Sequence, residues 1–176
     1  MLRNTVTTLM LVTVGSLAGC YGADDSGGGD EQGMSAVSEA LTVGGHRCPT
    51  HGEIAGRTVP ADHQYFLTTF GGGRDTGRMA CGRIADGRWL YMADKWRFGC
   101  GAHVRIENPR DHSYCIVEVA DVGPNICVEQ AAHRPIIDAS PLVAEHLFGA
   151  SSAGWSDHFK ITVTEVPKTT ALGICD

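Results

Sequence analysis

The chain is 176 residues long, with 14 Lys and Arg against 20 Asp and Glu and a formal net charge of -6 at pH 7. That acidic balance excludes the broad basic face of a nucleic-acid-binding protein, and the length allows one ordinary domain behind a leader. No Gly-rich phosphate loop runs from a strand into a helix, so nucleotide binding has no support and no cofactor is implied.

The start of the chain carries Arg3, then the apolar run Leu9 to Val14, then Leu17-Ala18-Gly19-Cys20. A positive start, a short apolar core and small residues before the cut make a secretory signal, and the run is too short for a permanent bilayer span. The Leu-Ala-Gly-Cys ending resembles the lipobox of bacterial lipoproteins. It implies that residues 1–19 are removed and that Cys20 becomes the lipidated first residue, anchoring the protein to a membrane of the cell envelope. From Cys20 to Gly45 the chain is acidic and rich in Gly and Ser, with no Lys or Arg. Such a stretch buries too little apolar surface to order itself and reads as a flexible tether.

Residues 46–176 form the domain. His63 to Phe70 reads as a strand ending at Gly71-Gly72-Gly73. Arg88 to Ala93 alternates, with Trp89 and Tyr91 on one side. A basic run from Arg74 through Arg78, Arg83, Arg88 and Lys95 to Arg97 reads as a solvated face or an anionic-ligand groove. Ala102 to Glu107 and Tyr114 to Ala120 make a hairpin around the turn Asn108-Pro109-Arg110-Asp111. Ser140, Pro141 and Gly149 bracket a helix as N-cap, first residue and terminator. His158 to Val166 gives a last strand. Several short strands with one clear helix point to a small, mainly β barrel.

Seven cysteines less Cys20 leave an even set in an exported domain, which suggests disulfides. Sequence does not choose among the pairings. The simplest are Cys48 with Cys175 as a clasp of the ends, Cys81 with Cys100, and Cys115 with Cys127. Zinc is the rival reading, and the absence of CxxC and of paired histidines at ligand spacing speaks against any metal site.

Three stretches then fall in order: Met79-Ala80-Cys81-Gly82; Met92-Ala93-Asp94-Lys95-Trp96-Arg97-Phe98-Gly99-Cys100-Gly101; and Val119-Ala120-Asp121-Val122-Gly123-Pro124 followed by Pro135-Ile136-Ile137-Asp138-Ala139-Ser140. Together they resemble the double-psi β-barrel domain of the rare lipoprotein A family, related to expansins and barwin-like proteins, over roughly residues 63–166. The resemblance implies a six-stranded pseudo-symmetric barrel with one or two short helices and a surface groove for polysaccharide. It implies action on peptidoglycan, as a lytic transglycosylase. The family's catalytic Asp carries over to Asp121. Its His position holds Asp94, and its Arg position holds Val122.

Glycosidic cleavage needs an acid for the leaving oxygen and a base or stabiliser beside the sugar. Asp94 and Asp121 are the candidate catalytic pair. Asp138, Trp89 and Tyr91 are candidate substrate contacts, the two rings as a stacking platform. Each has a plainer reading: Asp121 capping its turn, Asp94 in an ion pair with Lys95 or Arg97, Asp138 holding the strand-to-helix junction, and both rings in the core. Two further functions stay open: an expansin-like wall-binding or wall-loosening module without bond cleavage, and a barwin-like protein-interaction or inhibitor domain.

Overall fold

In the computed structural model the described residues are 42–43, 46–47 and 56–175. The signal segment, Cys20, most of the tether and Cys48 lie outside them. Strands β1 (Thr42–Val43) and β2 (His46–Arg47) pair antiparallel. The domain proper begins with β3 (Gln64–Thr69) and continues with β4 (Tyr91–Ala93), helix α1 (Lys95–Phe98), β5 (His103–Glu107) and β6 (Tyr114–Asp121). Then come α2 (Ile126–Ala132), β7 (Ile136–Ala139), α3 (Pro141–Phe148), β8 (Lys160–Val166) and β9 (Gly173–Cys175).

Six of these strands close into a ring, β4–β7–β3–β8–β5–β6 and back to β4, with β9 added outside β6. The pairs β3–β7 and β4–β6 are parallel, and the other four contacts are antiparallel. Exchanging β3, β4, β5 for β6, β7, β8 maps the set of six pairings onto itself with every sense kept. This is the six-stranded, pseudo-symmetric barrel that the motifs implied, and closure leaves the ring without an open edge.

Alternation fills the interior. Tyr65 and Leu67 of β3, Val104 and Ile106 of β5, and Ile161 and Val163 of β8 are all wholly buried in one cluster with Met92, Val117, Val119 and Ile137. Each such aliphatic side chain contributes about 1.5–3 kcal/mol of burial. The predicted hairpin is β5–β6. Its turn is held by Asn108, whose Nδ2 reaches Leu147 O of α3 at 3.0 Å. Helix α3 ends as expected, with Gly149 left-handed at φ 64°.

The described residues hold three short helices rather than one or two. Both unforeseen ones are capped by side chains: Asp94 accepts from Arg97 N, and Asn125 accepts from Cys127 N. The cysteines also differ from expectation in part. Cys81–Cys100 is formed. Cys115 and Cys175 are free thiols, and Cys127 is disulfide-bonded elsewhere, so neither the Cys115–Cys127 pair nor the Cys48–Cys175 clasp exists. Cys115 is wholly buried in the barrel core, and burial pushes its thiol up to about 12.

Candidate active site

The ring aligns four residues in one row across four strands. Thr68 of β3 is opposite Asp138 of β7, Asp138 is opposite Ala93 of β4, and Ala93 is opposite Asp121 of β6. Their neighbours Leu67, Ile137 and Met92 point into the barrel, so the row lies on its outer surface. A bulge between Met92 and Ala93 places one extra residue, Ala120, on β6, and such insertions re-aim the side chains beside them. Two strand spacings put the Asp121 and Asp138 Cα atoms about 10 Å apart. Ala93 of β4 is the residue in register between them.

The two carboxylates have different surroundings. Asp121 is half-buried, and its Oδ1 accepts from Ala80 N at 2.9 Å and Val122 N at 2.8 Å. Ala80 belongs to the long loop between β3 and β4, so that loop and the strand end fix the side chain together. Oδ2 has no hydrogen bond from the described residues. The turn-capping role is therefore real, and it occupies one oxygen. Asp138 accepts from Thr68 Oγ1. Burial drives its carboxyl above the usual carboxylate range, the Thr68 bond opposes this, and the charge of Asp121 raises it further. Asp138 faces a cleft of about 370 Å³ lined also by Thr68, Asn125, Val128 and Trp155. One carboxyl is thus raised by burial, while the other is held by two main-chain amides, so two carboxyl groups in different surroundings share one face of the barrel.

Asp94 stands elsewhere. It is 1% exposed, and its Oδ2 pairs with Arg97 at 2.9 Å. The same guanidinium forks onto Glu129 at 2.9 and 2.8 Å, and Glu129 accepts from Ile136 N at the start of β7. Two buried carboxylates share one cation, and desolvation pushes Asp94 up to about 6 despite Arg97. This cluster ties α1, α2 and β7 together, and it holds Asp94 in the ion pair with Arg97 that was its plainer reading, whereas Asp121 shares its row with Asp138.

The proposed ring platform is also replaced. Tyr91 is fully buried, with its hydroxyl on Phe70 O at 3.0 Å, and is a core residue. Trp89 is half-buried; its Nε1 donates to Ile84 O, and the Arg83 guanidinium covers its ring at 3.3 Å. The aromatic side chain that lines the Asp138 cleft is Trp155, on a single 3₁₀ turn from Trp155 to Asp157. Sequence reading missed it, as it missed Thr68 and Glu129. The clue for Thr68 was its place in Thr68-Thr69, just before the glycine turn. Among the described residues no group of three or more His, Cys, Asp or Glu is arranged to hold a metal ion.

A family model described as Lysozyme A matches residues 56–174, which span the whole barrel. The chain belongs to the lysozyme A family. Lysozyme C of Dictyostelium discoideum is 41% identical over 125 residues, covering 68% of this chain and 65% of that relative. Lysozyme A of the same organism is 40% identical over 124 residues, with the same coverage. The chain thus spans just under two thirds of the length of these lysozymes. The row Thr68–Asp138–Ala93–Asp121 and Trp155 all fall inside the lysozyme A match.

Proposed function

We propose that this protein cleaves the glycan of peptidoglycan, with Asp138 as general acid and Asp121 as general base. The observation that carries this is the row itself: two carboxyl groups in different surroundings, Asp138 buried against Thr68 and Asp121 held by two main-chain amides, placed one strand apart on either side of β4 beside a cleft lined by an indole ring. Asp138 protonates the glycosidic oxygen. Asp121, oriented by the Ala80 and Val122 amides, draws a proton from a water on the opposite face of the sugar. Carboxyl groups about 6.5–9.5 Å apart leave room for that water and give inversion, whereas about 5 Å gives a covalent intermediate. A Cα separation of two strand spacings suits the first. Trp155 offers its face to the C–H face of a sugar ring. The names borne by the Dictyostelium relatives support the same substrate class.

Digestion of purified sacculi, with released muropeptides read by mass spectrometry, tests this. Asp138→Asn and Asp121→Asn should each lower the rate by about 10²–10⁴-fold, the usual contribution of a positioned acid or base. Folded variants that release muropeptides like the wild type would sink the assignment. Reducing ends mark hydrolysis, and 1,6-anhydro ends mark the lytic transglycosylase outcome implied by the rare lipoprotein A resemblance. Retention on sacculi without any release marks the expansin-like module.

The proposal extends to the N-terminus: removal of residues 1–19, lipidation of Cys20, and residues 20–45 as the tether holding the barrel at the cell envelope. Metabolic labelling with a clickable fatty acid checks it. Label that persists in Cys20→Ser would contradict it.

A further inference from the structure

A second cleft, of about 540 Å³, adjoins the first, and Thr69 lines both. The wall between them is a clamp. Thr69 N donates to Ala153 O, and Ala153 N donates to Thr69 Oγ1, both at 2.9 Å. The clamp pins the segment after α3 against the end of β3. Ser151 and Ser152 then line the second cleft, while Ala153 and Trp155 line the first. A chain lying along the Asp138 cleft enters the second by crossing one residue.

The lining of the second cleft is bare backbone in part. Gly72 and Gly87 face each other so closely that a Cβ on Gly87 would lie 2.9 Å from Gly72 Cα. Around it stand Phe70, Asp75, Asp86 and the two serines, with no Lys or Arg. Each aspartate gives one oxygen to a main-chain amide: Asp75 Oδ2 accepts from Gly71 N and Asp86 Oδ1 from Arg88 N. Asp75 Oδ1 and Asp86 Oδ2 accept nothing from the described residues. Oriented carboxylate oxygens, serine hydroxyls and an aromatic edge suit vicinal sugar hydroxyls. They suit neither an apolar ligand nor an anion.

We infer that this second cleft is a glycan subsite that holds sugars beyond the bond being cleaved, so that the protein takes chains of several sugars; the inference rests on the glycan-cleaving function proposed above. Calorimetric titration of the Asp138→Asn protein with β-1,4-linked N-acetylglucosamine oligomers, dimer to hexamer, tests it. The hexamer should bind at least about tenfold more tightly than the trimer, or ~1.4 kcal/mol. Ser152→Trp, which fills the second cleft, should remove that gain and leave trimer affinity unchanged. Asp86→Asn, which keeps the acceptor for Arg88 N, should weaken the hexamer alone, and it decides the matter where Ser152→Trp does not fold. Affinity that is independent of length, absence of binding, or a length gain untouched by the cleft variants would overturn the inference. Sacculus digestion separates the two claims. Length-independent binding in a protein whose digestion depends on Asp138 sinks only the subsite. Length-dependent binding in a wild type that cleaves nothing sinks only the catalytic assignment.

Discussion

Asp138 and Asp94 are both carboxyls held above the ordinary range, and the difference between them is what they face. Asp138 faces a cleft and a threonine, so its proton is available to a ligand. Asp94 faces Arg97 inside a closed cluster, so its proton belongs to the fold. Activity that uses Asp138 as an acid is lost as pH rises through its raised value, and the alkaline limb of the rate profile should therefore lie above about pH 4, the free carboxyl range. Thr68→Val removes the bond that favours the charged form, and it should carry that limb to higher pH. A limb that does not move would count against Asp138 as the acid.

For Asp94 the consequence is stability. Its folded value is about 6 against the usual 3.8, so across that window the native state keeps a proton that the unfolded chain has released. Stability from this group is full below about pH 4 and is lost as pH rises through about 6. Thermal melts of Asp94→Asn against wild type should show the difference fading at low pH. Arg97→Met leaves two buried carboxylates without a cation and should cost about 3–5 kcal/mol. A change under about 1 kcal/mol would mean that the cluster is solvated, as exposed pairs are.

At the scale of elements, the loop between β3 and β4 does the positioning. It leaves the barrel at Gly71, packs on Tyr91, delivers the Ala80 amide to Asp121, and is tied to the start of β5 by Cys81–Cys100. Gly71 has φ 78°, and a Cβ there would lie 2.2 Å from the Tyr91 hydroxyl oxygen and 2.6 Å from Ala85 O. Gly71→Ala should cost about 1–3 kcal/mol from the backbone conformation alone. It should also weaken catalysis without touching either carboxylate. Urea melts and sacculus digestion of the same preparation check both, and an unchanged rate would detach the loop from the site.

The elements legible in sequence were those with a local signal. β-Forming residues before the glycine turn exposed β3, alternation exposed β4, β5 and β8, and the Ser140–Pro141–Gly149 punctuation exposed α3 almost to the residue. Strand β7 was invisible as a strand because four residues of mixed character give no period, although its motif was noticed. Helix α1 is a single turn, set by an Asp94 cap that looks like a catalytic residue when read alone. Trp155 sits on a turn with no periodicity. Its neighbourhood is created by the Thr69–Ala153 clamp, which joins segments far apart in the chain.

At the scale of the whole molecule, the shared row of Asp138 and Asp121 is a product of barrel closure. Asp138 and Asp121 lie on β7 and β6, which do not pair; β4 joins them through one antiparallel and one parallel contact. Parallel pairings are non-local and leave no local mark in sequence. The motifs supplied both aspartates, while Asp121 found its partner only once the ring was closed. The separation of the pair, about two strand spacings, is therefore a property of the fold, and under the proposed mechanism it sets the stereochemistry. The most direct measurement is the anomeric form of the first product, followed by proton NMR during digestion of a soluble β-linked glycan oligomer. An acid and a base on opposite faces of the bond predict a new reducing end that appears in the α form before mutarotation. Release in the β form, or as an anhydro sugar, would contradict the acid–base pair of Asp138 and Asp121.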